Sequence, residues 1–144
     1  MDHDPAKTKD LQFDLHLDAV DTTTVPVIRP WRCITLDPDW RGSWIGAGDV
    51  DGDGQCELVN ARVRERNDTH PIVSVCVYKL DGRILWRWGN PKPGANALHS
   101  DFACQIFDWD RDGRAEVIIA TEHHLIALDG ASGKERFRHP IPET

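Results

Sequence analysis

The segment DVDGDGQCE at 49–57 recurs without a gap as DWDRDGRAE at 108–116, with three Asp, one Gly and the closing Glu identical between the copies. A unit repeated inside one chain restricts the fold more than composition does, because each copy must be one supersecondary unit that packs on its neighbour. Each acidic segment runs into an apolar stretch, LVNARV after the first and VIIAT after the second. Downstream, VSVCVY at 73–78 alternates like a half-buried strand and leads through LDG at 80–82 into RILWRW. HLIALDG at 124–130 followed by ASGKERFRH is the second version; matching Gly133 to Gly82 sets Phe137 on Trp86. Both copies read as strand, acidic loop, strand, strand, turn, strand, which predicts an all-β chain with almost no helix.

Asp81-Gly82 between alternating apolar runs is a hairpin signal, since Gly supplies the positive φ of a tight turn, and DGASGK is a longer turn of the same kind. The first copy carries an extra loop at 64–71, whose Asn67-Asp68-Thr69 is a glycosylation sequon in a eukaryotic secreted setting. Ahead of the repeat, FDLHLDAV at 13–20 alternates, and 25–36 is β-rich but cut by Pro26 and Pro30, which predicts one or two edge strands. GNPKPG at 89–94 reads as the loop joining the two units.

The spacing Asp-x-Asp-x-Asp-Gly-x-x-Glu sets carboxylates at alternate positions of a tight loop. Hard oxygen donors in that number suit Ca²⁺, which accepts 6 to 8 oxygens in flexible geometry. The expected ligands are Asp49, Asp51, Asp53, the Gln55 carbonyl and Glu57 in one loop, and Asp108, Asp110, Asp112, the Arg114 carbonyl and Glu116 in the other. An EF-hand needs a Glu at position 12 and flanking helices, whereas that position holds Asn60 and Ile119 inside β-rich runs. Purely polar turns would leave the repeated Asp triads in unrelieved repulsion, so two Ca²⁺ sites are expected, with a structural role as the first reading.

Charge supports this. Lys and Arg total 17 against 24 Asp and Glu, a net charge of −7, and the two loops hold a third of the acids. The rest of the chain is near neutral, so no basic face for a nucleic-acid partner is expected. At 144 residues and 40% hydrophobic, the chain can build a core, and no apolar run approaches the ~20 residues of a membrane span. Residues 1–10, MDHDPAKTKD, lack the apolar region of a signal peptide. Cys33, Cys56, Cys76 and Cys104 lack CxxC spacing, which argues against zinc and leaves buried thiols or, in a secreted protein, disulfides.

GDVDGDGQCELV and FDWDRDGRAEVI resemble the FG-GAP or VCBS calcium-binding repeats of β-propellers. The longer order with VCVYKLDGRILWRWG and HSDFACQ is similar to the N-terminal blades of family 11 rhamnogalacturonan lyases, over about 43–139. That resemblance implies propeller blades with calcium loops, a secreted protein, and a pectic polysaccharide cleaved by β-elimination, in which a proton leaves next to a uronate carboxylate. On this reading 1–42 is a β-rich N-terminal extension, 43–90 a first blade and 91–144 a second. Propellers close with 4 to 8 blades, so two blades call for the rest of a longer chain, or for copies assembling into a homo-oligomer or filament. An adhesive or self-assembling structural module without catalysis is the alternative.

His99, Asp101 and Gln105, just ahead of the second loop, are candidates for contacting a uronate or a cation, or else for capping a loop. Trp86 and Trp88 share a strand face and serve either sugar stacking or blade-to-blade packing; Trp31, Trp40 and Trp44 lie near the first loop. Lys92 is a lone loop lysine within reach of an acidic sugar. The catalytic residues stay unassigned.

Overall fold

The computed structural model describes residues 26–64, 71–93 and 103–142. The chain divides into two compact units, Met1–Arg32 and Cys33–Thr144. The described residues of the first, 26–32, form no strand; Val27, Ile28 and Trp31 are exposed, and the Arg32 guanidinium lies 5.3 Å from the centre of the Trp31 ring. The expected edge strand at 25–36 is therefore corrected for its described part. Pro26 and Pro30 each lack the N–H a ladder needs. The stretch at 13–20 and the sequon at Asn67 lie outside the described residues.

The second unit contains eight strands: β1 (Trp44–Gly48), β2 (Glu57–Val63), β3 (Ile72–Lys79), β4 (Ile84–Gly89), β5 (Cys104–Phe107), β6 (Glu116–Thr121), β7 (His124–Asp129) and β8 (Glu135–Pro140). They form two four-stranded antiparallel meanders, β1-β2-β3-β4 and β5-β6-β7-β8, with each acidic segment between the first and second strand of its sheet. This is the strand order that the repeat dictates. Val77 pairs with Trp86 and Ala127 with Phe137, so the register also equates Trp86 with Phe137.

Opposed residues of an antiparallel ladder point to one face. In the first sheet Val59, Val77 and Trp86 are opposed in a row, as are Ala61, Val75 and Trp88. In the second, Ile106, Val117 and Leu128 form one row and Cys104, Ile119 and Ile126 another. These rows from both sheets make a single hydrophobic core with Val50. The Trp86 indole N–H donates to the Gly130 carbonyl at 2.6 Å, locking β4 onto the turn after β7. Gly133 in that turn has φ +68, and a Cβ there would lie 2.5 Å from the Trp86 ring, so only glycine satisfies both demands.

The opposite face of the first sheet is covered by the segment before β1. Asp37 donates its N–H to the Tyr78 hydroxyl at 3.2 Å and pairs through its carboxylate with Arg87. The Asn60 side chain, 1% exposed, accepts from the Gly42 N–H and donates to the Gly42 and Trp44 carbonyls. β6 and β7 are joined through Glu122 and His123, both at positive φ, which is the backbone of a type I′ hairpin. All four cysteines are free thiols, Cys33 and Cys56 exposed, Cys76 and Cys104 buried. Among the described residues no helix is long and apolar enough to cross a membrane.

Candidate metal centre

Each acidic segment is folded by its own carboxylates. Asp49 Oδ1 and Oδ2 accept the Gly52 and Gly54 N–H groups at 2.8 and 2.9 Å; Asp108 Oδ1 and Oδ2 accept those of Asp112 and Gly113 at 3.1 and 3.0 Å. The closing Glu ties the two ends together: Glu57 Oε2 accepts the Val50 N–H at 2.9 Å, and Glu116 Oε2 accepts the Trp109 N–H at 2.8 Å. Both glutamates begin a strand and are buried, at 0% and 3% exposure. An ionised carboxylate that deep needs such donors and a counter-charge.

The chain turns at Gly54 and Gly113, with φ +82 and +88 and open space around each. A side chain there would meet no neighbour, so the demand for glycine is one of backbone conformation. Two residues earlier the copies differ: Gly52 has φ +77, and its counterpart Arg111 has φ 62, a conformation that costs a non-glycine residue about 1–2 kcal/mol.

Three carboxylates converge in each loop, Asp49, Asp51 and Asp53 in the first and Asp108, Asp110 and Glu116 in the second, with oxygens within 4.8 Å of one another. A lysine or arginine stands beside each set. Lys79 Nζ lies 2.6 Å from Asp51, 2.8 Å from Asp53 and 3.0 Å from Glu57. Arg136 lies 2.6 Å from Asp110 and 3.8 Å from Asp112, and also bonds Glu116. Asp112 is further held by Arg114 at 3.2 Å. The hydrogen bond from Lys79, then that from the Gln55 N–H, holds the Asp53 carboxyl below its ordinary range; the Arg114 N–H chiefly does the same for Asp112. Hydrogen bonds donated to the Asp51 and Asp53 carboxylates raise the Lys79 ammonium, and the charge of Asp110 raises the Arg136 guanidinium.

These two cations come from non-equivalent places. Lys79 is the last residue of β3, where β7 has Asp129. Arg136 is the extra residue at the β7–β8 register shift, where the first sheet has Leu85. A bulge re-aims its side chain, and here it turns an arginine onto the acidic loop. Neither cation is singled out by the repeat, because the other copy holds a different residue at each position. Four carboxylates against one lysine in the first loop leave excess negative charge and hard oxygen donors, a set suited to a divalent cation.

Of the other candidate residues, His99 and Asp101 lie outside the described residues, and Gln105 is exposed on β5. Trp86 is 7% exposed and belongs to the core between the sheets, which is the packing role and leaves no open ring face for a sugar. Trp88 is half-buried against the same core, its indole N–H 3.2 Å from Glu135.

A profile described as rhamnogalacturonan lyase family 11, C-terminal domain, matches residues 24–134. The expected relation to N-terminal blades is thus corrected to the C-terminal domain. The chain is 40% identical over 81 residues, 51% of its length, to rhamnogalacturonan endolyase YesW of Bacillus subtilis (strain 168). It is 30% identical over 109 residues, 67% of its length, to rhamnogalacturonan exolyase YesX of the same organism. The matches span 13% and 17% of those two proteins. No solved structure matches the chain.

Proposed function

The chain belongs to the C-terminal domain family of the family 11 rhamnogalacturonan lyases, and from that premise we propose that it supplies two adjacent β-propeller blades, each braced by a structural Ca²⁺, to an extracellular protein acting on rhamnogalacturonan. The observation that carries this reading is the pair of loops, alike in backbone and each gathering three carboxylates at the base of a four-stranded sheet. Asp49, Asp51 and Asp53, with Glu57 and the Gln55 carbonyl, would hold one ion; Asp108, Asp110 and Glu116, with Asp112 and the Arg114 carbonyl, would hold the other. When bound, the ion supplies the positive charge that the loop lacks and couples loop closure to folding.

The chain's own residues do the remaining work. Glu57 and Glu116 tether each loop to the strand that follows it, and Lys79 and Arg136 neutralise part of the cage before metal enters. The chain, whose matches span 13% and 17% of the two lyases, is assigned a scaffold and carbohydrate-contact role within such a protein. The uncovered aromatic face of the second sheet, with Phe107, Trp109 and Phe137 at 59%, 53% and 41% exposure, suits the next blade. It also favours a second reading, self-assembly through that face.

Thermal unfolding followed by near-ultraviolet circular dichroism, with calcium and with chelator, tests the scaffold role. Calcium is expected to raise the midpoint, and rhamnogalacturonan incubated with the chain is expected to gain no unsaturated-uronate absorbance. An unchanged midpoint refutes the calcium reading; product formation refutes the scaffold role. Sedimentation gives a monomer on the blade reading and a concentration-dependent mass on the assembly reading.

A further inference from the structure

Lys92, singled out in the sequence as a lone loop lysine, is not alone in the fold. It lies on the rim of a cavity of about 580 Å³, with Asn90 beside it, Trp40 and Asp39 on the opposite turn, and Arg62 of β2 between. That size falls within the roughly 300–1,000 Å³ of small-molecule sites. The cavity lies at the end of the first sheet away from the acidic loop, since Arg62 is next to the last residue of β2 and Glu57 is the first.

The walls are fixed by the fold. The 37–41 turn is closed by the Trp40 and Arg41 N–H groups donating to the Asp37 carbonyl at 3.1 and 2.8 Å. Arg62 fastens the turn to the sheet by donating to the Asp39 and Arg41 carbonyls at 3.2 and 3.5 Å. Trp40 is held by the Arg87 guanidinium, 5.4 Å from its ring centre, and Arg87 in turn pairs with Asp37. Across the cavity, the Asn90 N–H donates to the Val73 carbonyl at 2.9 Å, and the Asn90 side chain accepts the Lys92 N–H at 3.1 Å. The Trp40 ring, the Arg62 guanidinium and the Asn90 amide are therefore positioned before any ligand arrives, and the Lys92 backbone is fixed beside them, which lowers the ordering cost of binding.

In a chain of net charge −7, a cleft with two cations and one carboxylate departs from its surroundings. Its donors match one ligand chemistry: a ring whose C–H face packs on indole, whose hydroxyls reach Asn90 and Asp39, and whose carboxylate meets Lys92 and Arg62. We propose that the cleft between the 38–40 and 90–92 turns binds a uronate-bearing oligosaccharide. The inference rests on the reading of the chain as part of a rhamnogalacturonan-acting protein, and names where on this domain the polymer is held.

The test is an NMR titration of the ¹⁵N-labelled, calcium-loaded full chain with rhamnogalacturonan oligosaccharides, and with the same oligosaccharides after reduction of their carboxylates to alcohols. Shifts are expected at the Trp40 indole, Arg62 and Lys92 with the acidic form alone. Lys92→Gln is expected to weaken binding about fivefold while leaving the melting midpoint and calcium isotherm unchanged, since Lys92 is exposed and far in sequence from both loops. Shifts confined to other residues, equal binding of the reduced form, undiminished binding by Lys92→Gln, or no binding each overturn the proposal. Calcium binding measured on the same sample separates the two readings: two ions without oligosaccharide binding defeats the cleft alone, and cleft binding without calcium defeats the metal sites alone.

Discussion

The two sheets share a meander, an acidic loop and a closing glutamate, yet they sit in different surroundings. The first sheet is covered on both faces, by the second sheet on one side and the 33–42 segment on the other; Trp86 and Tyr78, one on each face, are 7% and 1% exposed. The second sheet buries one face only, and Phe137, the counterpart of Trp86, is 41% exposed, stacked on Trp109 at 6.3 Å and on His139 at 6.0 Å. The loops differ in the same way. The first has Gly52 and the nearly buried Lys79, where the second has Arg111 in a strained conformation and the more exposed Arg136. The repeat thus sets the backbone of each unit, while counter-charge comes from positions where the copies differ and cover for the first sheet from the 33–42 segment.

The largest expected contrast is between the paired aromatics. Trp86→Ala is expected to cost about 3–5 kcal/mol in chemical denaturation, since it empties the core and strands the Gly130 carbonyl. Phe137→Ala is expected to cost less than about 1 kcal/mol from an exposed site. Equal losses would mean that the second face is covered in solution, which is the signature of self-association.

The closing glutamates come next. Glu57→Ala leaves the buried Val50 N–H without its acceptor and takes away one of the three carboxylates around Lys79, and is expected to cost about 3 kcal/mol. Glu116→Ala is expected to cost about 2 kcal/mol, because Arg136 is 36% exposed and water replaces part of what it loses. Reversal of that order in urea titrations would break the account of burial at the two loops.

Smaller effects come from the turn backbone. Gly113→Ala is expected to destabilise by about 1–2 kcal/mol although nothing lies within 4 Å of the new methyl group, and Arg111→Gly to stabilise by less than about 1 kcal/mol. Gly52→Ala in the first loop is expected to cost at least as much, since its methyl group would also lie 3.2 Å from the Arg114 side chain, and thermal melts of the three variants in chelator check the set.

The smallest effect is on acid stability. Asp53 and Asp112 have folded-state values below 3.8, so the stability they contribute is present above that pH and is lost as the pH falls through the folded values. Melts of the metal-free protein are expected to show a falling midpoint below 3.8. Lys79→Gln removes the chief cause of the Asp53 depression and should blunt that fall, leaving the contribution of Asp112, which rests mainly on the Arg114 N–H.

Much of this fold is written locally. The Asp spacing, the Gly at each turn and the alternation of 73–78 and 124–128 specify loop and strand from neighbours in sequence, and the Gly133–Gly82 match places Phe137 on Trp86 as the register does. The edge strand expected within 25–36 failed because apolar β-formers suggest a strand even where two prolines remove its donors. The candidate site was half legible. Its carboxylates follow from spacing, but Lys79 and Arg136 reach them from positions 26 residues beyond Asp53 and Asp110 through strand pairing and a bulge, which no local pattern encodes. Arg62 was invisible for a like reason. It reads as a mid-strand arginine, and only the return of the 37–41 turn over β2 makes it the floor of a cleft.

On the proposed function, both loops hold calcium independently of the rest of a larger protein. Isothermal titration of the metal-free chain with calcium is expected to give two bound ions, with one lost in Asp49→Asn and the other in Asp108→Asn. No heat of binding, or a stoichiometry left unchanged by either substitution, would contradict it.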